Sequence, residues 1–443
     1  MIVQAWLARA AAQRGAHTAI QTPSGECSYE RLYAAARAGA AQLSELGAEP
    51  GVRVAIELPA GLEFAQALHA CMLLGAVAVP IDLRLAAPER ERIAAGCAVR
   101  VQAPLQESAR GALARDQPAT HDLDAAAVVI HTSGTSASPR PVELSYANLL
   151  WSALGSSVAL GASERERWLC ALPLSHVGGL SIIVRSTIYA TTAVVHERFE
   201  VDRVMHALRA QEVTFVSLVA TTLGRLLDEG LQHPPALRCA LTGGGPVPAE
   251  LLRRAHRAGV PVGLTYGLTE ACSQVSTTPV AEIGRVPCSA GPPLFCTRVR
   301  IAPDGEILVR GPTVARGAAA QDGWLHTGDL GALAESGRLR VSGRKSDTIV
   351  SGGENVAPAE VEAVLEAHPL VLEAAVFGRA DDQWGEAVSA IVVPRPGTAP
   401  EVEELRAHCA RSLAPFKVPK RVVLASAPLP RTRSGKLLRR ELR

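Results

Sequence analysis

Short apolar, β-branched runs alternate with segments of helical period from the N-terminus to about residue 275, and this alternation restricts the fold more than any other feature. "VRVAIEL" (52 to 58), "AAAVVIH" (125 to 131), "TTAVVH" (191 to 196) and "VTFVSLV" (213 to 219) read as buried strands, each near a helical pattern. Such an order implies parallel sheets covered by helices, with ligand sites at the carboxyl ends of the strands. With 443 residues, 48% of them hydrophobic, the chain can fill two or three domains.

Between about 280 and 345 the pattern changes. "RVRIAPDGEILVRGP" predicts two strands around a Pro303-Asp304-Gly305 turn, and "GRLRVSGR" adds another, so a small antiparallel barrel or sheet is expected. The last hundred residues read as an α+β module, with helices over 358–367 and 399–413 and strands "EAAVFG" and "AVSAIVV" between them. Thr398 and Glu401 have capping-box spacing at the second helix.

Several function classes are excluded. The 45 basic and 43 acidic residues leave a net charge of +2, so no overall field calls for nucleic acid or an anionic membrane. "ACMLLGAVAVPI" (70 to 81) is shorter than the roughly 20 residues of a membrane span and reads as a buried helix running into a strand. The first residues, with Val3, Trp6, Leu7, Ala10 and Ala11 on one face and Arg9 breaking any signal-peptide core, predict a docked helix and a cytoplasmic protein. Nine scattered cysteines with no CxxC spacing point to a reducing compartment rather than to disulfides or structural zinc.

"HTSGTSASPRP" (131 to 141) follows an apolar run and precedes the helical pattern "SYANLLWSAL". Hydroxyls of Thr132, Ser133 and Thr135, with backbone N–H groups beside Gly134, can form an anion-binding nest. No Gly-Lys-Ser/Thr follows, so this is not a Walker loop. Downstream come "LTGGGPVP" (241 to 248), "TYGLTEACSQ" (265 to 274), "GWLHTGDLG" (323 to 331), "GRKSDTIVSGGENVAPAEVE" (343 to 362) and "LPRTRSGKLLRREL" (429 to 442). Together, in this order, they resemble the adenylate-forming superfamily of acyl-CoA synthetases, adenylation domains and luciferases. "CALPLSHVGGLSIIVRS", "LTGGGPVP", "YGLTEACSQ" and "SGGENVAPAEVE" are most similar to its o-succinylbenzoate-CoA ligase branch, which serves menaquinone synthesis.

The resemblance implies an α/β fold. A large N-terminal domain over 1–344 would hold two helix-covered sheets plus a small β-barrel, and a smaller mobile α+β domain would follow over 345–443. It implies ATP and CoA as co-substrates, Mg²⁺, a small carboxylic acid as the partner molecule, and no nucleic acid or membrane span; a homodimer is left open. Thr132 to Thr135 would hold the β- and γ-phosphates, Thr269 the α-phosphate and Glu270 the metal ion. Tyr266 would stack on adenine beside Gly267, while Gly243, Gly244 and Gly245 let backbone approach the base and acyl group. Asp329 would accept from the ribose hydroxyls with Arg344 beside it. Lys436 would bridge carboxylate and phosphate oxygens during adenylation; Ser346 would be the hinge, and Gly352-Gly353 would face the second half-reaction. His176, Gly178 and Gly179 would line the acyl pocket near Thr221, Leu268 and Ser273, with His176 the first candidate for a distal substrate carboxylate and Arg185 a weaker one.

The loop departs from its relatives at Ser136-Ala137 and Pro139-Arg140-Pro141, where Thr-Gly and Pro-Lys-Gly are usual. Arg140 keeps the charge as a planar fork, and Pro141 fixes φ. The hydroxyl-rich half is intact, which predicts a stiffened but working phosphate loop. The rival readings are another aryl- or fatty-acyl-CoA ligase, a stand-alone adenylation domain, or a nucleotide-binding homologue impaired in catalysis.

Overall fold

The computed structural model describes residues 1–106, 119–132, 140–285, 289–351, 354–381, 384–431 and 437–442. The apolar runs are strands: Arg53–Ile56, Ala126–Thr132, Thr192–Val195 and Phe215–Leu218. Residues 70 to 81 comprise the end of helix Leu62–Leu74 and strand Val77–Pro80. Between them Gly75 sits at φ +78, a left-handed helix stop that costs glycine no Cβ clash. The N-terminal helix Trp6–Arg14 is docked through buried Trp6, Leu7 and Ala10.

Two sheets share one core. The first has five strands in the order Val99–Val101, Arg53–Ile56, Val77–Pro80, Ala126–Thr132, Arg140–Ser145. The second has eight, in the order Ser273–Thr277, Val262–Leu268, Cys239–Thr242, Phe215–Leu218, Arg167–Cys170, Thr192–Val195, Thr18–Thr22, Gly25–Ser28. Its interior pairs are all parallel and both edges are antiparallel. Helices Tyr29–Glu45, Leu62–Leu74, Tyr146–Leu160 and Val177–Tyr189 contribute to the core between the sheets. Helices Val201–Ala210, Ala220–Asp228 and Ala249–Arg257 cover the far face of the larger sheet. Burial on both faces is why these strands read as unbroken apolar runs rather than alternating ones.

The third part is a four-stranded antiparallel sheet in the order Arg298–Ile301, Glu306–Arg310, Leu325–Leu333, Leu339–Arg344. It takes the sheet form of the barrel-or-sheet expectation: among the described residues no pairing closes the first strand on the fourth. The C-terminal part is α+β as expected, with helices Pro358–Glu366 and Val402–Ala410 packed on a separate five-stranded sheet whose core does not merge with the others. Among the described residues no helix is long and apolar enough to cross a membrane, and the described cysteines are all free.

Two local expectations are corrected. Strand Arg140–Ser145 separates the hydroxyl-rich loop from helix Tyr146–Leu160 and pairs antiparallel with Ala126–Thr132. The helix following residues 131 to 141 therefore begins only after this strand, and its N-terminus is capped by Ser145. Thr398 does not cap the later helix, which starts after Glu401; its hydroxyl donates to the carbonyls of Arg395 (2.8 Å) and Leu370 (3.2 Å) in a preceding turn.

Candidate active site

The carboxyl ends of the parallel strands carry most of the singled-out residues. Strand Val262–Leu268 leads into the short turn Thr269–Ala271, and the chain returns as Ser273–Thr277. Space inside this turn is extreme: a Cβ on Gly267 would lie 1.5 Å from the Ser273 carbonyl oxygen, so only glycine fits. Cys272 (φ 52) and Ser273 (φ 85) are held in the left-handed region, where side-chain-bearing residues are strained. That strain is supported from outside, since Ser152 Oγ donates to the Cys272 carbonyl at 2.7 Å and the Ala315 N–H to the Glu270 carbonyl at 2.8 Å. The turn thus presents Thr269 and Glu270 rigidly. The neighbouring Gly243–Gly245 loop is packed against it, with a Cβ on Gly243 falling 2.7 Å from both Cγ2 and O of Thr265 and Gly244 at φ +78.

Asp329 meets this turn from the antiparallel sheet. Its carboxylate is buried, accepts the Tyr266 hydroxyl at 2.8 Å and pairs with Arg344 Nε at 2.7 Å. Register explains the second contact, because Asp329 and Arg344 are directly opposite across the strand pair. Burial, and then the Asp329 charge, push the Tyr266 phenol up, so it stays protonated and keeps donating. Tyr266, Asp329 and Arg344 are thereby brought together as one hydrogen-bonded corner.

Thr132 and Arg140 face each other at the open end of the hairpin, where Thr132 Oγ1 donates to the Arg140 carbonyl at 3.3 Å. Ser133, Gly134, Thr135, Ser136, Ala137 and Pro139 lie outside the described residues, as do Gly352, Gly353 and Lys436. Glu270 is partly buried and makes no ion pair among the described residues. No group of three or more His, Cys, Asp or Glu side chains among them could cage a metal. A single unpaired carboxylate suits magnesium, which fills most of its shell with water and phosphate oxygens.

His176 stands at the N-cap position of helix Val177–Tyr189 without a side-chain cap bond, its Nε2 4.0 Å from Asp82 Oδ2. Burial holds its imidazole below the usual range, opposed by Asp82 and reinforced by Arg84. Behind it on the same helix, Arg185 is 3% exposed. Its guanidinium stacks on Trp168 (4.6 Å to the ring centroid) and touches Ser181 Oγ at 3.4 Å, while its Nε has no hydrogen-bond partner among the described residues. No carboxylate pairs with it among the described residues, and burial pushes its pKa down. Leu149, Ser152, Ala153, Ser181, Val184 and Arg185 pack together here with no room for a water molecule between them, next to the Cys272 turn that Ser152 supports. Arg185 is a lone charge inside the apolar helix "VGGLSIIVRSTIY".

The AMP-binding enzyme family matches residues 7–318, and the AMP-binding enzyme C-terminal domain matches residues 360–436. The chain is 38% identical to the 2-succinylbenzoate--CoA ligase of Bacillus subtilis (strain 168), over 94% of this chain and 92% of that one. Two solved structures of o-succinylbenzoate CoA synthetase from Bacillus subtilis superpose with a TM-score of 0.89. One holds the acyl-adenylate intermediate OSB-AMP (35% identity, 100% of this chain and 98% of that chain). The other holds ATP and a magnesium ion (36% identity, 100% of both chains).

Proposed function

This chain belongs to the AMP-binding enzyme family, and from that premise we propose how its residues divide the work of joining an acid to coenzyme A. It is an ATP-dependent acid–CoA ligase that converts 2-succinylbenzoate, through an acyl-adenylate, to 2-succinylbenzoyl-CoA. Its co-substrates are ATP and CoA, with Mg²⁺.

In the first half-reaction a carboxylate oxygen attacks the α-phosphorus of ATP, and the bond to the leaving pyrophosphate breaks. Two anions must approach, so cations and N–H donors have to be in place beforehand. Lys436 supplies the mobile cation, bridging the carboxylate and phosphate oxygens, and Thr269 contacts the α-phosphate. The hydroxyls of Thr132, Ser133 and Thr135 and the backbone at Gly134 hold the terminal phosphates. Glu270 and those phosphates would hold magnesium, whose charge, when bound, offsets the repulsion. Asp329, kept in place by Tyr266 and Arg344, accepts from the ribose hydroxyls. The Tyr266 ring stacks on adenine against the backbone of Gly243, Gly244, Gly245 and Gly267.

In the second half-reaction the CoA sulfur attacks the acyl carbonyl carbon, the bond to the phosphate oxygen breaks, and AMP leaves. The domain over 345–443 turns at Ser346 to withdraw Lys436 and bring Gly352 and Gly353 to the reaction. The boundary at 344/345 falls between the two matched family regions. We place the enzyme in the cytoplasm, where ATP and CoA are available and free thiols persist.

The choice of a diacid rests on one observation, the buried Arg185 with no carboxylate partner among the described residues. Burying a guanidinium without a counter-charge costs several kcal/mol, and a second substrate carboxylate would supply that charge. Arg185 therefore replaces His176 as the first candidate for the distal carboxylate, and His176 becomes a neutral wall of the pocket. Pyrophosphate release across a panel of carboxylic acids, with and without CoA, tests the reading. 2-Succinylbenzoate should be the best acid, and Lys436→Ala should lower its pyrophosphate release by about 10²-fold or more. Unchanged release in that variant would refute the role of Lys436; ATP binding without turnover of any acid would favour an impaired homologue.

A further inference from the structure

The sequence singles out Lys436 and the hinge, but not what connects them. The described residues on either side of 432–436 are fastened to the small domain. Arg431 Nη2 reaches Glu373 Oε2 at 2.7 Å, Arg431 and Leu437 form an antiparallel bridge, and the Leu438 N–H donates to the Pro430 carbonyl at 2.9 Å.

Arg439 then gathers three separate elements. Its Nη2 donates to both carboxylate oxygens of Glu362 at 2.7 Å, its Nε to the Val376 carbonyl at 3.2 Å, and its Nη1 to Asp347 Oδ2 at 3.2 Å. Glu362 is itself fixed, because it accepts the Val376 N–H at 2.8 Å. Asp347 immediately follows the hinge residue Ser346. On the other side of the hinge, Lys345 Nζ is held by Asp304 at 2.7 Å, in a turn of the large domain's antiparallel sheet, and by Glu306 at 3.2 Å, in one of its strands. Ser346 thus stands alone between a residue anchored to the large domain and one anchored to the tail.

We propose that Arg439 is a positioning residue: it ties the tail that carries Lys436 to the first residue beyond the hinge, so that rotation at Ser346 moves the lysine and the small domain as one piece. This rests on the assignment of Lys436 to the adenylation step. Arginine suits the position because one planar guanidinium carries separate donors in three directions: Nη2 meets both oxygens of Glu362, Nη1 reaches Asp347 and Nε the Val376 carbonyl. Losing the tie frees the tail relative to the cleft, and a cation misplaced by about 1 Å can cost about 10²-fold in rate.

The test separates the two half-reactions in the full chain. ATP–pyrophosphate exchange with 2-succinylbenzoate reads adenylation, and conversion of supplied 2-succinylbenzoyl-adenylate with CoA reads thioester formation. Arg439→Ala should lower the maximal exchange rate by about 10- to 100-fold with KM values within about 3-fold, and leave thioester formation within about 3-fold. Added to Lys436→Ala it should cost nothing more, because its effect passes through that lysine. Arg439→Lys keeps a charge opposite Glu362 but not the fork, so it should show the same split in milder form, and it keeps the test valid where Arg439→Ala unfolds. Equal losses in both half-reactions, no loss in either, or a full additional loss on top of Lys436→Ala would each overturn the proposal. Wild-type exchange in Lys436→Ala alone would instead overturn the assignment on which it rests.

Discussion

The Tyr266–Asp329–Arg344 corner, proposed to hold the nucleotide, and the Arg185 cluster, proposed to face the acid, pose opposite electrostatic problems. At the corner, the buried carboxylate of Asp329 already has its partners, a tyrosine hydroxyl and a guanidinium, so the site is rigid before any ligand arrives. In the cluster, the buried guanidinium of Arg185 has an aromatic face and a serine but no carboxylate among the described residues. A satisfied group can orient a ligand common to many reactions, and ATP is such a ligand. An unsatisfied charge selects, because only a ligand bearing the missing charge relieves it.

That difference can be attacked from the corner first. Asp329→Asn leaves Arg344 without its counter-charge and, on the proposed ribose role, weakens that contact, so it should lower kcat/KM for ATP by about 10- to 100-fold with little change in acid preference. Tyr266→Phe, which keeps the ring for stacking and removes only the support of Asp329, should cost about 2- to 10-fold. If the tyrosine change equalled the aspartate change, the corner would not be pre-arranged as described. Steady-state kinetics with ATP varied distinguishes the two.

Much of this was legible in the letters, and the gaps have physical causes. Buried parallel strands announce themselves as apolar runs, so the sheets could be placed. Arg140–Ser145 escaped because "RPVELS" is an edge strand with exposed and half-buried positions. Tyr266, Asp329 and Arg344 were found through their motifs, although only the strand register shows why aspartate and arginine meet. Arg439 and Glu362, separated by 77 positions, could not be joined from sequence, since nothing local records that contact. The surroundings of Arg185 were illegible for the same reason, since Trp168 belongs to a separate strand.

The small domain offers the mildest test of the same contrast. One turn along helix Pro358–Glu366 from the Arg439-paired Glu362, Glu366 accepts only the Ala374 N–H (3.3 Å) among the described hydrogen bonds. Burial pushes its carboxyl up to about 7, reinforced by Glu362 and Glu373 and opposed by the Ala374 hydrogen bond and Arg431. An acid whose folded pKa exceeds its unfolded value holds its proton longer in the native state, so stability falls as pH rises from the unfolded carboxylate range, about 4.3, through about 7. Glu366→Gln should therefore raise Tm by a few degrees at pH 8 and by much less at pH 4.5. A gain that is the same at both values would remove the buried charge as the cause. Calorimetry at the two pH values decides it.

The claim that an unpaired buried arginine selects a diacid is tested most directly by crossing one substitution with one substrate change. ATP–pyrophosphate exchange would be measured for wild type and Arg185→Met with 2-succinylbenzoate and with an analogue in which the distal carboxylate is a methyl ester. Wild type should favour the diacid by about 10²-fold in kcat/KM, and the variant should lose most of that preference while handling the ester at nearly the wild-type rate. Equal loss on both substrates, or a preference that survives the substitution, would contradict it.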